Sequence, residues 1–352
     1  MRRFNGRALA CLLWLAFVIC GSAAPSSCQS GRAYYGRSNY IEYIAGDMPV
    51  IFSVPHGGSL TPAEIPDRKP AGFSDDFATV TDANTEEMAL DIARAFRRYF
   101  GHSPHLIICH LKRTKIDCNR DILEGAAGNR YAEQAWKEFH DYINLASNAV
   151  VKTRGRGFYV DLHGQSHPIK RVELGYLLKP EELTNMDAVL DRPAYAAHSS
   201  IRTLASQVPV SFSQLLRGSN SLGGLLLANG YPSVPNPAMP NPWTNRGPNG
   251  APGDTEEYFG GGYNTRRHGS IGLGGLIDGV QMEVNYDARE TAANRSKFAA
   301  ALAKTMETFF SKHFGVDLRT GGTFSVGAPK PAELPGDSTS PPPRQSLVRN
   351  PL

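Results

Sequence analysis

Short apolar runs alternate with longer amphipathic stretches along most of this chain. Runs such as PVIFSVP and GFYVDLH are rich in β-branched and aromatic residues, which is typical of strands buried on both faces. In the first amphipathic stretch Met88, Ile92 and Phe96 share one face, and Gly101 follows as a helix stop. The pattern predicts strands at 49–55, 105–112, 157–163, 172–178 and 279–284, and long helices at 84–101, 130–152 and 294–315.

Strands that alternate with helices predict an α/β fold. We expect three layers, with a mostly parallel or mixed central sheet and helices on both faces. In such sheets ligands bind beyond the carboxyl ends of the strands.

The two ends of the chain differ in composition from its middle. Arg2, Arg3 and Arg7 precede an apolar run at 8–20 and small residues at 21–24, which predicts a signal peptide at 1–24 and a secreted protein. The run is short for a bilayer span, so a retained signal anchor is the less favoured alternative. We predict a loose lead-in at 25–38, one domain at 39–320, which contains a long irregular loop at 218–262, and a disordered Pro/Ser-rich tail at 321–352.

Charge and cysteine content narrow the function classes. The formal net charge is +4, and residues 1–24 carry three arginines and no acid, so the remainder is close to neutral at +1. This balance predicts neither nucleic acid nor, once the signal is removed, a membrane as a partner.

Cys28, Cys109 and Cys118 remain after cleavage of the signal peptide. Their odd number leaves one thiol without an intramolecular partner, and spacing does not show which pair forms. Asn294 begins a glycosylation sequon that applies if export is eukaryotic.

Polar residues that favour metal chemistry stand at the ends of predicted strands. His56 follows the first strand in VPHGG, His163 ends the third in VDLHG, and Glu283 lies inside the apolar run of the last. Two imidazoles at converging strand ends are typical ligands of a catalytic zinc, although each histidine alone is also compatible with a structural role. Asp161 could orient His163 or cap a turn.

The third zinc ligand is not obvious from spacing, because Ser59 stands where an HxxE pattern needs its acid. We favour Asp82, just before the first long helix, where a carboxylate can meet a metal and face the positive helix end. A simple helix N-cap is the alternative role for Asp82. The other acids before and within the start of this helix are Glu64, Asp75, Asp76, Glu86 and Glu87.

A basic segment, KRTKIDCNRD at 112–121, follows the second predicted strand. Asn119 and Arg120 could bind a substrate carboxylate, since a guanidinium donates two parallel hydrogen bonds, and a surface salt bridge is the alternative. Arg113 could polarise a scissile carbonyl. Glu283 is predicted to be a general base, with a buried salt bridge to one of these arginines as the alternative.

Six short motifs together resemble the N-formylglutamate amidohydrolase family, which is related in fold to the zinc carboxypeptidases. The motifs are VPHGG, TDANT, RTKIDCNRD, VDLHG, YFGGGYNTRRHGS and DGVQMEVNYDAR, in that order across about 48–315. The resemblance implies a zinc-carboxypeptidase-like fold, with Zn²⁺ bound by His56, Asp82 and His163.

The resemblance also implies roles for residues around the zinc. Glu283 matches the catalytic carboxylate, and Arg113 lies near the scissile carbonyl. The substrate-binding positions it implies are Asn119, Arg120, Tyr263 and His268, with loop packing as the alternative role for Tyr263 and His268.

The expected function is therefore hydrolysis of the amide bond of a small N-acyl amino acid by a secreted zinc enzyme. The predicted export and the long 218–262 loop both depart from the family pattern, so formylglutamate itself is not the expected substrate. The alternatives are a metallo-exopeptidase acting on short peptides with a free carboxylate, and a non-catalytic binding protein on the same fold.

Overall fold

The computed structural model describes residues 28–69, 77–243, 258–272 and 275–324. Its strands are β1 (Ala33–Tyr35), β2 (Ile41–Ile44), β3 (Val50–Val54), β4 (His105–Cys109), β5 (Gly157–Gln165), β6 (Val172–Gly175), β7 (Ser233–Val234), β8 (Ile277–Asn285), β9 (Val316–Asp317) and β10 (Thr323–Phe324). Its α-helices are α1 (Thr85–Phe100), α2 (Ile122–Ala126), α3 (Arg130–Arg154), α4 (Pro180–Leu183), α5 (Asp187–Leu190), α6 (Pro193–His198), α7 (Arg202–Gln207), α8 (Phe212–Arg217), α9 (Leu222–Ala228), α10 (Tyr263–His268), α11 (Tyr286–Arg289) and α12 (Ala292–His313).

A mixed sheet runs through the centre of the described residues, with eight strands in the order β1-β2-β4-β3-β5-β8-β6-β7. The four central strands β4, β3, β5 and β8 are parallel to one another. Strands β2 and β6 join this core in antiparallel pairs, with β4 and β8 respectively. The carboxyl ends of β3, β5 and β8 therefore meet at one edge of the sheet.

Helices cover both faces of the sheet, as the alternation of side chains along β3 shows. Phe52 belongs to a core cluster that also contains residues of α1 and α12. Its neighbour Ile51 points to the opposite face and belongs to a second cluster formed with α3. Successive residues of a strand point to opposite faces, so each face of the sheet is buried under its own helices. The predicted three-layer α/β fold is confirmed.

The predicted strands and long helices are confirmed, and several shorter elements were missed. The five predicted strands and three long helices are all present, within a few residues of the predicted bounds. The predicted lead-in at 25–38 is wrong in part, because β1 pairs with β2 as the edge of the main sheet. The loop at 218–262 contains α9 and β7, and the first residues of the tail at 321–352 contain β10, which pairs with β9. These missed strands have two or three residues and the missed helix α9 has seven, which is too few for an alternating or helical pattern to show.

Several predictions concern parts of the chain outside the described residues. These are the signal peptide at 1–24 and the tail from 325 onward. Within the described residues, no helix combines the length and the apolar character needed to cross a membrane. Cys28, Cys109 and Cys118 are free thiols here, and no structural observation bears on glycosylation of Asn294.

A half-buried histidine joins three elements beside the end of β4. His110 Nε2 lies 3.2 Å from a carboxylate oxygen of Glu42 on β2, and His110 Nδ1 lies 2.8 Å from one of Glu86 on α1. Hydrogen bonds to Glu42 and Glu86 raise the pKa of His110 to about 10. The unfolded-state pKa is about 6.5, so the stabilisation is complete below about pH 6.5 and is lost as the pH rises through the folded-state pKa.

We predict that His110→Gln lowers the free energy of unfolding by about 1–2 kcal/mol at pH 6.5 and by much less at pH 10. Chemical denaturation of wild type and variant at both pH values measures the difference. His198→Gln is the control, because it removes an exposed histidine from a pair with Glu182. An equal loss at both pH values would show that the charge of His110 is not what stabilises the contact.

Candidate active site

Strand register places His163 and Glu283 side by side. The two residues are direct partners in the parallel pairing of β5 with β8. Their side chains therefore project from the same face of the sheet at its carboxyl edge. His163 Nδ1 lies 3.9 Å from a carboxylate oxygen of Glu283, and both side chains are buried.

His56 and Asp82 complete a cluster at the same edge. His56 follows β3, and its carbonyl accepts a hydrogen bond of 3.0 Å from the N–H of Asp82. Asp82 Oδ2 lies 3.5 Å from His56 Nδ1 and 3.1 Å from His163 Nδ1. One possible ligand atom from each of His56, Asp82 and His163 lies within 4.8 Å of the others, and all three residues are buried.

The outer nitrogen of each imidazole is held by its own buried carboxylate. His56 Nε2 lies 2.6 Å from Asp117 Oδ1, and His163 Nε2 lies 2.8 Å from Asp161 Oδ2. This leaves both Nδ1 atoms turned toward Asp82. His56 Nδ1 is buried without a hydrogen-bond partner, and such an atom is costly unless something binds it.

This arrangement fits a divalent metal ion. Two imidazole nitrogens and one carboxylate are the ligand set of many catalytic zinc sites, and a carboxylate on the far nitrogen of each ligating histidine is its usual companion. The predicted grouping of His56, Asp82 and His163 is thus present, while the identity of the metal is not decided by the geometry.

The alternatives to Asp82 that lie within the described residues are all away from this cluster. Glu64 accepts a hydrogen bond from the Tyr40 hydroxyl, and Glu86 accepts one from His110. Glu87 is on the exposed side of α1, and Asp75 and Asp76 lie outside the described residues. Asp82 is not the N-cap of α1, because Asn84 occupies that position.

Asp161 orients His163 and does not cap a turn, since it lies inside β5. Its second oxygen accepts hydrogen bonds from Ser53, Tyr159 and Asn264. Burial alone raises the pKa of Asp161, but the charge of His163 and these hydrogen bonds lower it below the ordinary value. The carboxylate therefore stays ionised and keeps His163 in one orientation.

Asp117 plays the same part for His56, and sequence reasoning assigned it no role. Besides His56, it accepts hydrogen bonds from Arg113 Nε at 2.9 Å and from the N–H of Asn119 at 2.9 Å. Burial raises the pKa of Asp117, yet the charges of His56 and Arg113 bring it well below the ordinary value. An acid two residues before an Asn-Arg pair was the available signal.

Glu283 is in a different environment from these acids. Gln281 donates a 2.8 Å hydrogen bond to it, and Glu173 of β6 is its register partner on the other side. Burial, with a further contribution from the charges of Asp82 and Glu173, raises the pKa of Glu283 to about 7. A carboxyl group with a pKa near neutrality can both accept and return a proton.

A cavity of about 480 Å³ opens onto this cluster. Arg113, Asn119 and Arg120 line it together with His56, Asp82, His163 and Glu283. Arg113 Nη1 lies 3.7 Å from Asp82 Oδ1. Arg120 donates to Glu124, while Asn119 accepts a hydrogen bond from the N–H of Asn264. The predicted residues Arg113, Asn119 and Arg120 therefore lie beside the cluster, and a neighbouring residue holds each of them.

The structure does not bring Tyr263 and His268 to the cavity wall. Both belong to α10, which packs behind the sheet edge against α3. Tyr263 Oη accepts a hydrogen bond from Arg267, and His268 Nε2 lies 2.8 Å from His140 Nδ1. The preceding glycines at 260–262 line the cavity instead, so this segment reaches the cavity through glycine backbone and not through the two predicted side chains.

Comparison with known proteins gives structural likenesses only. No protein-family model and no curated protein matches the chain. The chain is similar to an N-formylglutamate amidohydrolase from Ralstonia eutropha, with a TM-score of 0.46 and 12% identity over 78% of this chain and 99% of that one. It is also similar to a gene product of Agrobacterium tumefaciens, with a TM-score of 0.40 and 17% identity over 77% and 94% of the two chains. For an N-acetylmuramyl-L-alanine amidase from Mycobacterium smegmatis the TM-score is 0.33 and the identity 12%, over 74% and 96%.

We predict that Asp117→Asn weakens zinc binding by about 10- to 100-fold, because the amide no longer supports the imidazole of His56 with a negative charge. Competition with a chromogenic chelator measures the dissociation constant. His163→Ala removes one of the three candidate ligands and so sets the lower limit of the affinity. Asp187→Asn is the control, because Asp187 is exposed and pairs with Arg217. Wild-type affinity in Asp117→Asn would remove this carboxylate from the site.

Proposed function

We propose that this protein is a zinc-dependent amidohydrolase that cleaves small N-acyl amino acids. The observation that carries the proposal is the buried group of His56, Asp82 and His163 at the floor of an open cavity, with Glu283 next to it. The unpartnered His56 Nδ1 supports metal binding in particular. A zinc ion held by these three side chains would supply Lewis-acid polarisation of a water molecule and of the scissile carbonyl.

Glu283 is the proposed proton carrier. Its carboxylate would remove a proton from the attacking water and return it to the nitrogen of the leaving amino acid. Gln281 and the β8 backbone hold it in place, so little reorientation is needed between the two steps.

Arg113 is the proposed stabiliser of negative charge on the scissile carbonyl oxygen. Asp117 accepts from its Nε and so fixes the plane of the guanidinium. A donor oriented before the reaction stabilises the developing oxyanion without a cost of reorganisation.

The rest of the cavity lining supports the proposed substrate class. Arg120 and Asn119 would bind a carboxylate at one side of the cavity. Val80 and Phe259 also line it and are 75% and 45% exposed, which offers an apolar surface to an acyl group or side chain. A short peptide with a free carboxyl terminus would satisfy the same contacts.

Residues 1–24 lie outside the described residues, and we propose from their sequence alone that they direct export of the protein. N-terminal sequencing of protein recovered from the medium of expressing cells tests this: an intact Met1 would contradict cleavage.

We predict that Glu283→Gln retains one zinc per chain but loses about 100- to 10,000-fold in turnover, because the amide cannot accept the proton. Elemental analysis and a steady-state assay on the same sample give both values. Unchanged turnover would exclude Glu283 from the mechanism.

The substrate for that assay comes from a panel of N-formyl, N-acetyl and longer N-acyl amino acids and of dipeptides, each with a matched carboxamide. We expect hydrolysis of the acylated amino acids, and a loss of about 10- to 100-fold in kcat/KM for the carboxamides, since hydrogen bonds to charged groups contribute about 1.5–3 kcal/mol. Preferential cleavage of dipeptides would favour an exopeptidase. A metal-free chain that hydrolyses nothing would favour a binding protein.

A further inference from the structure

Arg289 lies at the end of α11 with its guanidinium against the cavity, and no role was expected for it from sequence. The residue is 2% exposed. All three hydrogen bonds that the structure records for the guanidinium end on backbone carbonyls. Nε donates to Val284 at 3.2 Å, Nη2 donates to Gln165 at 3.1 Å, and Nη1 donates to Ala83.

Each of these carbonyls belongs to a segment that carries one member of the candidate site. Ala83 follows Asp82, and Val284 follows Glu283. Gln165 stands two residues after His163. A single planar guanidinium thus joins the loop before α1 to the ends of β5 and β8.

The space around the guanidinium is built for it. A Cβ at Gly164 would lie 2.4 Å from Arg289 Nε and 2.5 Å from Cζ, so a larger residue at position 164 would have to displace the guanidinium from its present place. The N–H of the same Gly164 donates a 3.2 Å hydrogen bond to Asp82 Oδ2. Arg289 therefore holds the backbone beside Asp82 through the carbonyl of Ala83. Strand β5 holds the carboxylate of Asp82 through the N–H of Gly164.

The loop that carries Asp82 needs such support, because it belongs to no strand. Residues 77–84 are irregular, and Asn84 adopts a left-handed conformation with φ of 64°. A ligand on a loop keeps its position only when other contacts hold the loop.

We propose that Arg289 is a positioning residue that sets the distances among Asp82, His163 and Glu283 by binding the backbone next to each. The inference rests on the proposed function in so far as those residues bind metal and move a proton. A lysine cannot replace Arg289, because a single ammonium group cannot donate to three carbonyls that are spaced around a planar guanidinium.

The first test measures zinc affinity in Arg289→Ala and Arg289→Lys. We expect dissociation constants about 10- to 100-fold weaker in both. Guanidinium chloride at about 50 mM, far below the molar concentrations that unfold proteins, should restore most of the affinity of Arg289→Ala, and sodium chloride at equal ionic strength should not. Arg94→Ala is the matched control, since this arginine is exposed and pairs with Asp91. Wild-type affinity in Arg289→Lys would overturn the proposal, because charge alone would then suffice.

The second test uses metal-free protein, so that it does not depend on the proposed function. Hydrogen–deuterium exchange should become faster in Arg289→Ala in peptides that cover 78–86 and 163–168, and stay unchanged in α12, because local opening follows the loss of local contacts. Unchanged exchange in those two peptides would overturn the positioning role. If wild type binds no zinc but the exchange result holds, the proposed function fails and the role of Arg289 as a backbone link stands. Should Arg289→Ala not fold, Arg289→Lys carries both measurements.

Discussion

The candidate site depends on how the negative charges of its buried carboxylates are compensated. Asp82, Asp117, Asp161 and Glu283 are all buried at one edge of the sheet. A buried carboxylate without a partner is costly, and removal of one member of a buried pair leaves the other uncompensated. The positions of the surrounding imidazoles and guanidiniums follow from this requirement.

The four carboxyl groups fall into three kinds, according to what balances their negative charge. Asp117 and Asp161 are saturated with hydrogen bonds and ionised, so they act on the histidines and not on a ligand of the cavity. Asp82 faces the Nδ1 atom of both imidazoles, where a divalent cation would balance its charge. Glu283 has the least compensation and the raised pKa, which suits a group that exchanges protons.

The sheet supplies the precision that this chemistry needs. Because β5 and β8 are parallel and in register, a candidate metal ligand and the proposed base are held on adjacent strands, with backbone hydrogen bonds fixing their separation. The components on loops are joined to this frame by polar links: Asp82 through the carbonyl of His56 and the N–H of Gly164, and Arg113 through Asp117. Rigid strands thus position the reacting groups, and the loops around them shape the cavity.

The sequence by itself determined the layer architecture, the long helices and the polar residues at strand ends, because apolar period and strand-end chemistry are local properties of the chain. It also pointed to His56, His163 and Glu283 as neighbours. Short strands such as β1 left no period to detect.

Only the tertiary structure decided which distant groups meet. Asp82 could have been an N-cap or a ligand, and the fold turned it toward two imidazoles. The same fold placed His268 against His140, paired Asp117 with His56 across 61 positions, and brought Arg289 to Ala83 across 206. Such contacts depend on strand register and helix packing, and residues so far apart in sequence carry no local signal of them.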